Sequence, residues 1–236
     1  MSQHIDALHD QVVVITGTGR LGSAVARLFA RTALQGMILI GHRIQEAEAL
    51  AETLDIGERA LALAADLRLE DEVRAVFERA HARWGRLDVL VHTVGTWAGS
   101  PLLETSLESW EHLLALNLTS TFLCFREALR WMVPRRYGRL IAIASMQGAD
   151  RARPQQAAYS ASKAGLIRLV ESVALEYRDS GITANAIAPS LILEPGQSGP
   201  GVLAESVAHL CLFLADKSSE AISGETIRIY GDYPVS

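Results

Sequence analysis

The chain has 236 residues, 49% of them hydrophobic and only 6% aromatic, and a formal net charge of −5. This is enough for one domain, 1–236, with a real core, and the acid excess, with no Lys/Arg stripe interleaved with aromatics, excludes nucleic acid as a partner. Two isolated cysteines, Cys124 and Cys211, make neither a disulfide framework nor a metal site, and no uncharged apolar run reaches the ~18 residues that span a bilayer. The expectation is a cytoplasmic protein with no membrane partner; the first ten residues, with His4, Asp6, His9 and Asp10, do not read as a signal peptide.

Short runs at 12–16, 37–41, 60–64, 87–91, 139–144, 183–187 and 226–229 are continuously apolar, as strands buried on both faces are. Between them lie helical patterns at 21–32, 45–53, 69–83, 107–132, 156–179 and 202–214. Strand and helix in alternation predict an α/β fold, a parallel sheet covered on both faces. Local chemistry agrees with the boundaries: Gly85 follows one helix, Pro134 stops another, and Ser106 with Glu108 and Ser109 opens a third. The Gly/Pro-rich stretch 195–201 is the one candidate flexible loop.

Directly after the first run comes Thr16-Gly17-Thr18-Gly19-Arg20-Leu21-Gly22, opening the first helix. Glycines there let the backbone approach a pyrophosphate, and the free N–H groups and positive end of the helix attract it. Arg20 either adds a charge to the phosphates or points to solvent. The second run ends in His42 and Arg43, where such a fold meets the adenosine ribose. A carboxylate there would hold a 2′-hydroxyl and repel a 2′-phosphate; neither residue is acidic, so NADP(H) is expected in preference to NAD(H).

Tyr159 and Lys163 lie four apart in a helical pattern and so share one face, one turn apart. A fixed ammonium beside a phenol favours the phenolate, and the spacing predicts a lowered pKa at Tyr159, suited to proton exchange with a carbonyl or hydroxyl oxygen.

With the Gly turn near the N-terminus, Tyr159 and Lys163 beyond the middle and alternating strands throughout, the sequence resembles the short-chain dehydrogenase/reductase family over nearly its whole length. The resemblance implies a doubly wound Rossmann fold with strand order 3-2-1-4-5-6-7 and an NADP(H)-dependent oxidoreductase acting on a small carbonyl or secondary-alcohol substrate. It also implies roles for further residues. Asp66, followed by Leu67, looks like the contact to the adenine amino group, Asn117 like the asparagine supporting a water-linked proton route, and Ser145 like the serine that steadies the substrate oxygen. Lys163 would also bind the nicotinamide ribose, and Gly95 and the segment with Pro189, Ser190 and Ile192 would line the cofactor. The family commonly pairs its two long helices across a two-fold axis, which implies a homodimer or homotetramer with Trp110, Leu113, Leu114, Leu166, Leu169 and Val173 as candidate contacts.

The sequence departs from the family pattern in four places. Its Gly turn is one residue short; Arg20-Leu21-Gly22 and His42-Arg43 resemble pteridine reductases instead, although no Asp stands near Ser145. The usual Asn-Asn-Ala-Gly is His92-Thr93-Val94-Gly95, with His92 read as a structural, hydrogen-bonded residue rather than a base. Ser145 and Tyr159 are one residue further apart than usual, and Arg151 and Arg153 in that loop are read as solvated. The substrate loop at about 190–202 is short, which implies an open pocket and admits a second function, that of a non-catalytic NADP(H)-binding or regulatory protein.

Overall fold

The computed structural model describes residues 7–194 and 196–234. Seven parallel strands form one sheet: β1 (Val12–Thr16), β2 (Gly36–Gly41), β3 (Ala60–Ala64), β4 (Val89–His92), β5 (Gly138–Ile143), β6 (Ile182–Pro189) and β7 (Thr226–Ile229). Their spatial order is β3-β2-β1-β4-β5-β6-β7, the doubly wound arrangement expected. The chain reverses its direction of travel at β1 and β4, where Val13 pairs with both Met37 and Val89, and there the strand ends open a crevice.

Alternate residues of each strand feed two cores. Val12, Val14, Ile38 and Ile40 pack with Phe77, Phe125 and Leu166 from α3 (Glu70–Trp84), α5 (Ser120–Met132) and α7 (Ala157–Glu176). Val13, Ile15 and Leu39 pack with Phe29, Leu50 and Leu212 from α1 (Arg20–Phe29), α2 (Ile44–Thr53) and α8 (Ala204–Ala215). No helix among the described residues is long and apolar enough to cross a membrane.

Helix boundaries follow the local chemistry. Gly85 ends α3 in the left-handed region at φ 67°, and the Ser106 hydroxyl accepts from the Ser109 N–H, 3.1 Å away, to start α4 (Leu107–Leu114). The pattern read as one helix over 107–132 is interrupted by a π-helical turn, Ala115–Thr119. Wide turns free carbonyls from the α ladder, and two hydroxyls take them up: Ser120 donates to Leu116 O at 2.6 Å and Thr121 to Asn117 O at 3.1 Å. The loop after β5 also contains a short helix, α6 (Met146–Ala149), that the apolar period does not reveal.

The candidate dimer contacts need correction. Leu113, Leu166 and Val173 are buried in the chain's own core, so they are not available to a second copy. The large apolar side chains exposed on these helices are Leu107, Phe122 and Leu175. The stretch 195–201 was read as a flexible loop, and Pro195 lies outside the described residues. Its flanks are pinned, because Ile192 and Val202 form a parallel bridge with Leu193 N–H donating to Val202 O.

Candidate active site

The Gly turn is a steric necessity. Gly17 has φ 89°, and a Cβ there would lie 2.7 Å from Thr93 Oγ1; a Cβ on Gly22 would lie 1.8 Å from the Gly17 carbonyl oxygen. Gly19 is different: it is the N-cap of α1 with no side-chain cap, and a Cβ there would face open space. The helix therefore presents uncapped N–H groups to an open cleft, an arrangement that fits a pyrophosphate. Arg20 follows neither expectation. It donates to Ile192 O at 2.6 Å and pairs with Glu194, so it spans from the Gly turn to the loop after β6.

At the end of β2, Arg43 is the N-cap residue of α2 and its exposed guanidinium lies on Glu46, with Nε 3.0 Å from Oε1. Thr18 Oγ1 reaches the same carboxylate at 3.5 Å. Beyond β3, Asp66 accepts from Arg68 Nε at 2.9 Å and from the Arg68 backbone N–H at 3.0 Å. The Arg68 side chain, bonded to it, holds the Asp66 carboxyl at about 2, well below the usual carboxylate range. His42, Asp66 and Leu67 line one hollow of about 300 Å³, together with Val94 of the altered motif after β4 and with Arg68, His112 and Leu116, which were not among the expected site residues.

His92 sits at the end of β4 with no exposure, Nδ1 2.8 Å from Thr16 Oγ1 and Nε2 3.1 Å from Ser120 Oγ. Thr93 Oγ1 donates to Thr16 O at 2.6 Å. These two side chains tie β1, β4 and α5 together. Burial, then the nearby Lys163 charge, hold the imidazole down at about 3, so it is neutral at any ordinary pH and no proton-transfer group.

Asn117, in the π turn, is fully buried: Oδ1 accepts from Thr96 N–H at 2.8 Å, and Nδ2 donates to Thr96 O and to Ser162 Oγ, both at 3.0 Å. It clamps the chain beside Gly95, where a Cβ would lie 2.9 Å from both Asn117 Oδ1 and Lys163 Nζ. Only a glycine leaves that space open above the ammonium. Ser145 is the N-cap of α6, its hydroxyl donating to Gln147 Oε1 at 2.5 Å.

Tyr159 and Lys163 occupy consecutive turns of α7, as the spacing requires, but their electrostatics differ from the expectation. Burial pushes the Tyr159 phenol above its usual value, with a contact to Ser145 working the other way. Lys163 does not lower it: Nζ donates to Ile143 O at 2.8 Å, and burial brings the ammonium down to about 8. Serine, tyrosine and lysine nonetheless open into one cavity of about 630 Å³, whose walls include Arg20, Leu21, Gly95, Pro189, Ser190 and Ile192. Ser190 also lines it, with its hydroxyl on Tyr230 O at 2.8 Å. Gln147, Gln156 and Arg153 join from the loop after β5, and Tyr233 from the C-terminal segment. Tyr233 had no sequence signal, since only the return of the chain after β7 brings it there.

The short chain dehydrogenase family model matches residues 11–198. The chain is 33% identical to a 3-oxoacyl-[acyl-carrier-protein] reductase of Synechocystis sp., covering 95% of this chain and 97% of the relative. It is 34% identical to a cis-4-hydroxycyclohexanecarboxylate dehydrogenase of Sinomonas cyclohexanicum, with 97% and 98% covered. A solved structure described as a short-chain dehydrogenase/reductase from Burkholderia xenovorans superposes with a TM-score of 0.88 at 26% identity, over 96% of this chain and 97% of the other. Fold, crevice and relatives agree: the chain belongs to the short-chain dehydrogenase/reductase family, oxidoreductases that bind a nicotinamide cofactor.

Proposed function

We propose that the protein is an NADP(H)-dependent reductase or dehydrogenase that interconverts a carbonyl and the corresponding secondary alcohol, with Tyr159 as general acid and base. The observation that carries this reading is the convergence of Ser145, Tyr159 and Lys163 on one cavity that also reaches the Gly turn through Arg20 and Leu21. The names of the relatives from Synechocystis and Sinomonas describe chemistry at C=O and CH–OH, which supports it. When bound, the nicotinamide exchanges a hydride with the carbonyl carbon. The Tyr159 hydroxyl gives its proton to the oxygen and recovers one from solvent; the sum is ketone, NADPH and H⁺ to alcohol and NADP⁺. Ser145 steadies the reacting oxygen by a hydrogen bond. Lys163 would bind the nicotinamide ribose in the space kept by Gly95, and phosphates in the cleft would favour its ammonium form. That charge would then help to bring the phenol into working range; in the structure Nζ donates to Ile143 O and burial keeps the phenol above its usual value. Asn117 holds the π turn and Thr96 in place beside it.

Gly17, Thr18, Gly19 and Gly22 would hold the pyrophosphate, Asp66 and Leu67 the adenine, and Pro189, Ser190 and Ile192 the nicotinamide side. His42 and Arg43 stand where an NAD-specific fold places an acid, and this supports NADP(H). We further place the protein in the cytoplasm as a homodimer or homotetramer, with the short 190–202 segment over an open substrate pocket. The test is to titrate the purified protein with NADPH and NADH by fluorescence, then to add aldehydes and ketones and follow absorbance loss. Tighter NADPH binding with turnover is expected; a clear NADH preference would reverse the cofactor assignment, and NADPH binding without turnover on any carbonyl would count against the enzymatic one.

A further inference from the structure

The charges around the 630 Å³ cavity are one-sided. Among the described residues no Asp or Glu lines it, and its cations are Arg20, Lys163 and Arg153. Arg20 is engaged by Glu194 and Ile192 O, and Lys163 by Ile143 O. Arg153 has no carboxylate partner among the described residues: its Cζ lies 5.1 Å from the centre of the Tyr233 ring, a stacking contact that orients the guanidinium without neutralising it. The acid nearest in sequence, Asp150, is taken by Arg228 Nε at 2.7 Å and Tyr230 OH at 2.5 Å. The loop that carries Arg153 is anchored as well, with Ser100 N–H donating to Gln155 O at 2.7 Å. In the same wall, Gln156 Oε1 is buried without a hydrogen-bond partner. Arg153 is exposed and free to take an anion, and the buried unsatisfied amide oxygen in the same wall is a cost that a ligand would relieve. The cavity also holds Trp97 and Leu191, both large, apolar and exposed.

We infer that the substrate is a keto acid, or in the other direction a hydroxy acid. Its reacting oxygen sits at Ser145 and Tyr159, its apolar body lies on Trp97 and Leu191, and its carboxylate pairs with the planar fork of Arg153. The Gln156 amide stands beside it and presents either a donor or an acceptor on turning. This rests on the proposed role of Tyr159 and adds the substrate class.

The experiment compares kcat/KM with NADPH for levulinate and p-acetylbenzoate against their methyl esters, in the wild type and in R153Q, R153K and R151Q. A charge-assisted hydrogen-bonded pair favours the acids roughly tenfold to a hundredfold. R153Q is expected to bring the acid-to-ester ratio to within about threefold of unity, R153K to keep part of the preference and R151Q to keep it whole. A wild-type ratio near one for both pairs would overturn the inference while leaving the reductase reading intact. So would an R151Q collapse equal to that of R153Q, since the field of the loop and not a docked carboxylate would then be responsible. If neither acids nor esters turn over, the reductase reading is what fails. Calorimetric titration of p-acetylbenzoate into the NADPH-saturated protein then decides the anion site: binding lost in R153Q supports it, and equal binding or none in the wild type overturns it.

Discussion

At the end of the cleft proposed for the adenosine the guanidinium groups of Arg43 and Arg68 already lie on Glu46 and Asp66, whereas at the end proposed for the substrate Arg153 faces a cavity lined by no Asp or Glu among the described residues. A ligand phosphate at the first end has to share its cation with a carboxylate, so each charge there contributes little beyond what the exposed pair already makes. A ligand anion at the second end meets a cation with nothing to displace. The Gly turn between them contributes through backbone geometry, which no carboxylate can compete for. On the proposed assignment the cofactor would be held chiefly by shape and main-chain N–H groups, with charge discrimination concentrated on the substrate.

The strongest test of this division is at the chemistry itself. Tyr159→Phe is expected to lower kcat by about a thousandfold, the usual scale for losing a positioned proton donor. NADPH affinity measured by fluorescence should stay within about threefold, because the hydroxyl is on the substrate side. The shared middle can be broken by Gly22→Val, which forces a side chain into the Gly17 carbonyl. Cofactor affinity should fall by about a hundredfold and thermal unfolding should shift down, as for an overpacked site costing 1–3 kcal/mol, roughly. Retention of wild-type affinity would show that the turn is not the main-chain cradle.

The pH dependence separates the protein's own balance from that of its complex. The folded chain releases the Lys163 proton above about 8, whereas the unfolded chain keeps it to the ordinary value of 10.5. Between these values the unfolded state binds more protons, so this group adds stability as pH rises through that window. On the proposed role of Lys163, cofactor affinity should run the other way, because anionic phosphates favour the ammonium. The Kd for NADPH is expected to rise about tenfold from pH 7.5 to 9.5, and a flat profile would remove Lys163 from cofactor binding. The smallest effects belong to the adenosine end. Arg43→Ala should raise KM for NADPH about fivefold with little change for NADH, and Glu46→Gln, by freeing Arg43, should lower it about twofold to threefold. Equal changes for both cofactors would mean that Arg43 does no more than begin α2.

Much of the fold was legible because strands buried on both faces must be apolar throughout. The runs 12–16, 60–64 and 226–229 coincide with β1, β3 and β7, and the others differ by one or two residues at their ends. The run read as β4 starts two residues before the strand, where Asp88 is already tied to both neighbours, its N–H donating to Val12 O and its carbonyl accepting from Arg139 N–H, both at 2.9 Å. The residues of the cavity were legible through motif order; their pairing was not. Nothing local in Arg20 announces Glu194, 174 positions away, and nothing in Lys163 says that its first partner is the Ile143 carbonyl rather than the phenol one turn back. The apolar period misses the π turn at Asn117 because Leu113, Leu116 and Leu123 keep the stretch hydrophobic whether or not one residue is inserted.

That turn is a local insertion that leaves the helices on either side in phase. A π turn holds one more residue than the α ladder needs, so deleting Leu118 would let α4 run directly into α5 as uninterrupted helix. Because the wide turn absorbs its extra residue locally, the helix on either side of the splice would keep nearly its present phase. Asn117 would swing off Thr96 and Ser162, while Leu123, Phe125 and the sheet behind them kept their places. A single missing codon there is expected to unseat the proposed site while leaving a well-folded domain behind.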